Sequence, residues 1–121
     1  MYNSKISLIV PKLDMILNQN YIIYRLKLNQ VKQLTREKRL KDAEQLLMSL
    51  VDATESEARQ ESTGVAPWYY EQLALIYRKD KDLIQELSIL ERFGSQRHSP
   101  GKKPETLMLR LEKVRELLRS R

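Results

Sequence analysis

The chain has no cysteine among its 121 residues. Disulfides, thiolate metal sites and cysteine nucleophiles are therefore excluded. Only three glycines and four prolines are present, so few points force a helix to stop. There is one histidine, His98, and a single histidine excludes His-rich metal spacing. It has no Asp or Glu within four residues to orient it, and it reads as a solvated loop side chain. No Gly-rich phosphate loop and no nucleophile elbow is found. Carboxylate pairs such as Glu55/Glu57 and Asp80/Asp82 stand at i, i+2, do not share a helical face, and read as surface or capping groups. No catalytic residue, cofactor or metal site is expected, and the chain is not read as an enzyme. No apolar run approaches the roughly 18 residues of a membrane span. The run Leu8–Val10 is cut by Pro11, well short of the roughly 7–15 residues of a signal core. A cytoplasmic protein without membrane contact is the expectation.

What the chain does have is charge and leucine. Charged residues make up 31% and hydrophobic ones 41%, with Leu, Lys, Arg, Glu and Gln abundant, a helical composition. The net charge is +6, from 22 basic and 16 acidic residues. Windows of 1–58 and 59–100 are nearly balanced, whereas 101–121 holds seven basic against three acidic residues, which places most of the excess on the C-terminal segment. A basic balance admits acidic protein, nucleic acid or anionic lipid as partner without choosing among them.

Five segments carry helical periodicity. The first runs from about Pro11 to Arg36, or breaks near Asn18–Asn20, with Leu13, Leu17, Tyr24, Leu28 and Val31 as its stripe. The second, from Leu40 to about Arg59, aligns Leu40, Ala43, Leu47, Leu50 and Val51. Its tail from Thr54 to Thr63 loses apolar residues and reads as a fraying end plus loop. A third segment opens at Pro67 with Tyr70, Leu73, Ala74 and Tyr77 at i, i+3, i+4 and i+7. The fourth holds Leu83, Ile84, Leu87, Leu90 and Phe93, with Asp80 or Asp82 as N-cap and Gly94 as a left-handed C-terminal residue. In the fifth, from about Pro104 to Arg119, Leu107, Leu111, Val114 and Leu118 share a face.

An offset of 43 residues superposes segments one and two on three and four: Val31 falls on Ala74, Leu34 on Tyr77, Leu40 on Leu83, Leu47 on Leu90 and Leu50 on Phe93. The second unit resembles a tetratricopeptide repeat. Tyr70, Leu73, Ala74 and Tyr77 match that family's first helix; Leu90 and Phe93 match its second. Lys81 stands where the family has its turn glycine, and Glu86 where it has a small residue. In the first unit Ala43 keeps the small residue, while Lys27 and Gln30 replace the aromatic and the leucine. The spacing exceeds the family's repeat of about 34 residues.

The resemblance implies an all-α fold of two stacked antiparallel helical hairpins plus a C-terminal capping helix. The organisation expected is one α-helical domain over 1–121, with a loosely attached segment 1–10, a TPR-like region 24–93 and a capping helix 104–119. The first helix of each hairpin would line a concave groove. Arg25, Lys32 and Arg36 in unit one, and Trp68, Glu71, Leu75, Arg78 and Lys79 in unit two, would face it. Such grooves in the family often clamp acidic or C-terminal carboxylate peptides, and Arg and Lys supply charge-assisted hydrogen bonds for that. The same cations are also what a solvated helix face carries, and Trp68 also suits packing against the Gly64 loop. The expected function is a non-enzymatic protein-interaction module binding an acidic peptide or partner helix. Arg25, Lys32, Arg36, Trp68, Leu75, Arg78 and Lys79 would form its binding face. Two alternatives stand beside it: a basic nucleic-acid-associated accessory protein of a mobile element or phage, and a self-associating structural protein.

Overall fold

A computed structural model describes residues 22, 23 and 25–121. Expectations for 1–21, including the loose segment 1–10 and the helix start at Pro11, lie outside the described residues. The chain divides between Arg39 and Leu40 into two units. Among the described residues there is no strand, and the fold is all-α.

In the first unit, helix α1 covers residues 25–36. Val31 is its buried residue, and Arg25, Asn29, Lys32 and Arg36 are exposed along the opposite side. In the second unit, α2 spans Leu40–Glu61, α3 Pro67–Lys79, α4 Leu83–Gly94 and α5 Lys102–Arg119. The helix α3 packs on α2 and α4, and α5 packs on α4 and more sparsely on α3. The connections are short, so successive helices fold back as hairpins.

Local chemistry explains the boundaries. Pro67 sits in the first turn of α3, where its missing N–H costs nothing. Asp82 caps α4, its Oδ1 accepting from the Gln85 N–H at 3.1 Å. Gly94 does not act as a left-handed terminator: it is the last residue of α4, Ser95 is the C-cap, and no glycine adopts the left-handed conformation. The left-handed residues are Lys38, Ser62 and Lys81, at φ 59°, 56° and 57°. Each follows a helix and closes it in a Schellman-type turn.

Two of these turns repeat the 43-residue offset in backbone detail. The Lys38 N–H donates to Thr35 O and the Arg39 N–H to Leu34 O, at 3.1 and 2.9 Å; the Lys81 N–H donates to Arg78 O and the Asp82 N–H to Tyr77 O, again at 3.1 and 2.9 Å. The helices that follow begin at Leu40 and Leu83, and Ala43/Glu86, Leu47/Leu90 and Leu50/Phe93 are buried pair by pair. Lys81 thus takes the conformation for which a turn glycine would be suited, at the steric cost of a Cβ in that region.

The core of the second unit is Leu47, Val51, Tyr70, Leu73, Ala74, Leu90, Phe93, Leu111 and Val114. Tyr70 and Phe93 meet with ring centroids 5.1 Å apart. The tail of α2 departs from the fraying end read in the sequence. It stays helical to Glu61, with Thr54, Glu55 and Ala58 buried. Thr54 and Glu55 serve internal partners, whereas Glu57, Arg59, Gln60 and Glu61 are exposed. Thr54 Oγ1 accepts from the Ala66 N–H at 2.8 Å, which fixes the entry to α3.

Candidate functional site

The polar chemistry of the second unit is concentrated around two buried carboxylates. Glu86 is fully buried on α4. Arg78 of α3 donates to its Oε2 from Nε and Nη2 at 3.1 and 3.0 Å. Arg110 of α5 donates to Oε2 from Nε at 2.7 Å and to Oε1 from Nη2 at 3.1 Å. The place where the repeat pattern puts a small residue therefore holds a carboxylate clasped by two guanidinium groups. Burying that charge is costly unless it is paired and hydrogen-bonded, which this arrangement provides.

Glu55 is the second centre. It reads as a surface group in the sequence, but it is buried on α2. Tyr70 Oη donates to its Oε2 at 2.8 Å, and Arg92 of α4 donates to both of its oxygens at 2.8 and 2.9 Å and to Asp52 Oδ1 at 2.7 Å. Burial raises the Tyr70 hydroxyl well above its ordinary pKa, and the bond to Glu55 raises it further. The same bonds to Glu55 hold Arg92 firmly charged. Tyr77 is pushed up to about 12, by burial first and then by its hydrogen bond to Glu44. Both clusters join helices, and Glu55 also stands in the lining of a cavity of about 490 Å³ beside Arg59 and Arg97.

His98 is not a solvated loop residue. Its ring stacks on Phe93 at 4.0 Å between centroids and 8° between planes, and Nε2 lies 2.6 Å from Phe93 O. A carbonyl can only accept, so Nε2 carries the proton. Sequence distance to an acid gave no hint of this, because the partners are a ring face and a main-chain oxygen.

The predicted binding residues separate into two sets, each described on its own unit. Trp68, Leu75 and Lys79 fall on one stripe of α3 with Gln72, at i, i+4, i+7 and i+11. Leu75 is 37% exposed and Lys79 is exposed. Trp68 is half-buried, edge-on to Tyr69 at 6.0 Å. Arg78 is diverted to Glu86, and Glu71 accepts from Lys103 Nζ at 2.8 Å. The α3 face is thereby left with a single cation among the predicted residues.

Arg25, Lys32 and Arg36 occupy one side of α1 at i, i+7 and i+11, with Asn29 between them, and all are exposed. At 1.5 Å per residue the stripe is about 16 Å long. Beside it stand Ile22 and Leu26, 55% and 58% exposed. The chain division also relocates the charge. Residues 1–39 hold eight basic and two acidic residues, whereas 40–121 hold 14 of each, so the whole net +6 lies in the first unit. The C-terminal excess read from the sequence is drawn down internally: Arg110 serves Glu86, Lys103 serves Glu71, and Arg115 meets Glu112.

The described residues include no group of three or more His, Asp or Glu able to hold a metal ion, and no helix long and apolar enough to cross a membrane. Compared with known protein families, curated proteins and solved structures, the chain shows no match.

Proposed function

We propose that the chain is a non-enzymatic, TPR-like interaction module whose binding surface is the basic, partly apolar outer face of α1, and that it takes an acidic amphipathic helix or peptide. One observation carries the reading: the net charge is confined to the first unit, where Lys32 and Arg36 stand exposed in line with Arg25 beside Ile22 and Leu26. In the second unit Arg78, the one arginine there that the sequence offers as a binding group, is committed to buried Glu86, and Arg110 and Arg92 are likewise committed to buried Glu86 and Glu55. A ridge of cations with apolar neighbours matches a helix whose own face carries carboxylates and a leucine or two. Charge brings such partners together, and apolar contact holds them.

The test is a fluorescence-anisotropy titration with a labelled helical peptide bearing Glu at i, i+7 and i+11 and Leu between them. Binding should weaken at least tenfold in the Lys32→Glu/Arg36→Glu variant and stay unchanged in Lys79→Glu. An oligonucleotide that binds through the same residues, with the steep salt slope of counterion release, while the peptide does not bind, would overturn the reading in favour of a nucleic-acid partner.

A further inference from the structure

The outer face of α5 is the charge-reversed counterpart of the outer face of α1. An offset of 80 residues takes buried Val31 to buried Leu111, and takes exposed Arg25, Lys32 and Arg36 to exposed Glu105, Glu112 and Glu116. Asn29 falls on Leu109, which is 72% exposed. Both stripes thus run the same length at the same angle to the side each helix buries. Lys102 and Lys113 border the acidic stripe on its far side.

A shallow groove of about 650 Å³ lies beside the first half of this stripe, between the loop at His98–Gly101 and α5. Its apolar wall is Pro100, Pro104, Met108 and Leu109, and Glu105 and Glu112 stand on its rim. His98, fixed by its stack on Phe93, closes the loop side. An exposed leucine over an apolar hollow edged by carboxylates calls for a helix with apolar residues at one end and cations further along. That is the layout of α1, with Ile22 and Leu26 preceding Lys32 and Arg36.

From this we infer that the acidic helix bound by α1 is α5 of a second copy of the same chain. This rests on the function proposed above and names its partner. In the parallel register Ile22 and Leu26 enter the groove, Lys32 meets Glu112 and Arg36 meets Glu116. The existing Arg115–Glu112 contact is an exposed i, i+3 pair of little worth and does not block the approach. The contact is heterologous: each copy offers α1 to one neighbour and α5 to the other, so the assembly extends head to tail. A single helix pair is smaller than a standard stable interface, so association is weak and concentration-dependent.

Sedimentation of the full chain in 50 mM salt, over about 0.01–1 mM, should show the average mass rising above the 14.4 kDa monomer. In 500 mM salt the association constant should fall at least about tenfold. Two variants complete the test. Glu112→Lys/Glu116→Lys and Lys32→Glu/Arg36→Glu should each remain monomeric alone, because their own stripes then carry the same sign. Their equimolar mixture should associate again, since every α1 in it meets an α5 of opposite charge. A wild type that stays at 14.4 kDa throughout, or a mixture that does not recover, overturns the inference. Should the labelled acidic peptide still bind the wild type in that case, self-association alone has failed. If the peptide fails to bind as well, the proposed function falls with it.

Discussion

Replacing Arg110 by methionine should destabilise the protein more than the same change at Arg78, although both arginines reach the same carboxylate. Both Arg78 bonds go to Oε2 of Glu86, whereas Arg110 supplies the bond to Oε1. Without Arg110, Oε1 loses that bond at a fully buried position. A buried charged group left short of a partner costs more than the net worth of a satisfied bond, and breaking a buried pair typically costs about 3–5 kcal/mol. Since Arg78 remains, about 2–4 kcal/mol is expected for Arg110→Met. For Arg78→Met, Arg110 still holds both oxygens and the lost side chain is 41% exposed, so about 1–2 kcal/mol is expected. The triple change Arg78→Met, Glu86→Leu, Arg110→Met removes the charge altogether and should return to within about 1–2 kcal/mol of wild type. Urea unfolding followed by circular dichroism measures all of these, provided the m-values agree. Equal or reversed costs for the two single changes would refute the assignment of Oε1 to Arg110 and not to Arg78.

Leu90→Ala should cost about 2–5 kcal/mol, because the side chain is fully buried in the α3–α4 hairpin; a loss under about 1 kcal/mol would contradict that packing. Gly64→Ala should lower the melting temperature, since a Cβ there meets Ser99 N at 2.4 Å and His98 C at 2.9 Å, both main-chain atoms that cannot swing aside. Stability should also fall as pH rises from about 10 to about 12. The Tyr77 hydroxyl ionises near 10 when unfolded and near 12 when folded, and Tyr70 is raised in the same sense. The folded state therefore keeps protons that the unfolded state releases, so the contribution is present below pH 10 and lost through the folded pKa. Urea midpoints across that range give the measurement, and a flat profile would contradict it.

The all-helical fold was legible because period and punctuation agree. Pro67, Asp82 and the leucine stripes mark α3, α4 and α5 within a few residues of their observed ends. The 43-residue repeat was legible too, and it reappears in the matched turns at Lys38 and Lys81. What escaped was the fate of polar residues. Glu55 read as a surface group, and Glu86 only as a departure at a small-residue position, because burial of a carboxylate depends on an arginine 37 or 24 residues away, which periodicity does not register. For the same reason Arg78 read as a groove cation. The charge of the first unit was hidden by counting windows that crossed the division at Arg39.

The central claim is that α1 is the surface that receives acidic helices. Amide chemical-shift mapping of the isotope-labelled protein against the acidic helical peptide tests it most directly, because each backbone position reports separately. The largest shifts should fall within residues 25–36, centred on Lys32 and Arg36, and should disappear in the Lys32→Glu/Arg36→Glu variant. Shifts centred instead on Trp68, Leu75 and Lys79 of α3, or on the basic turn at Lys102 and Lys103, would contradict the account.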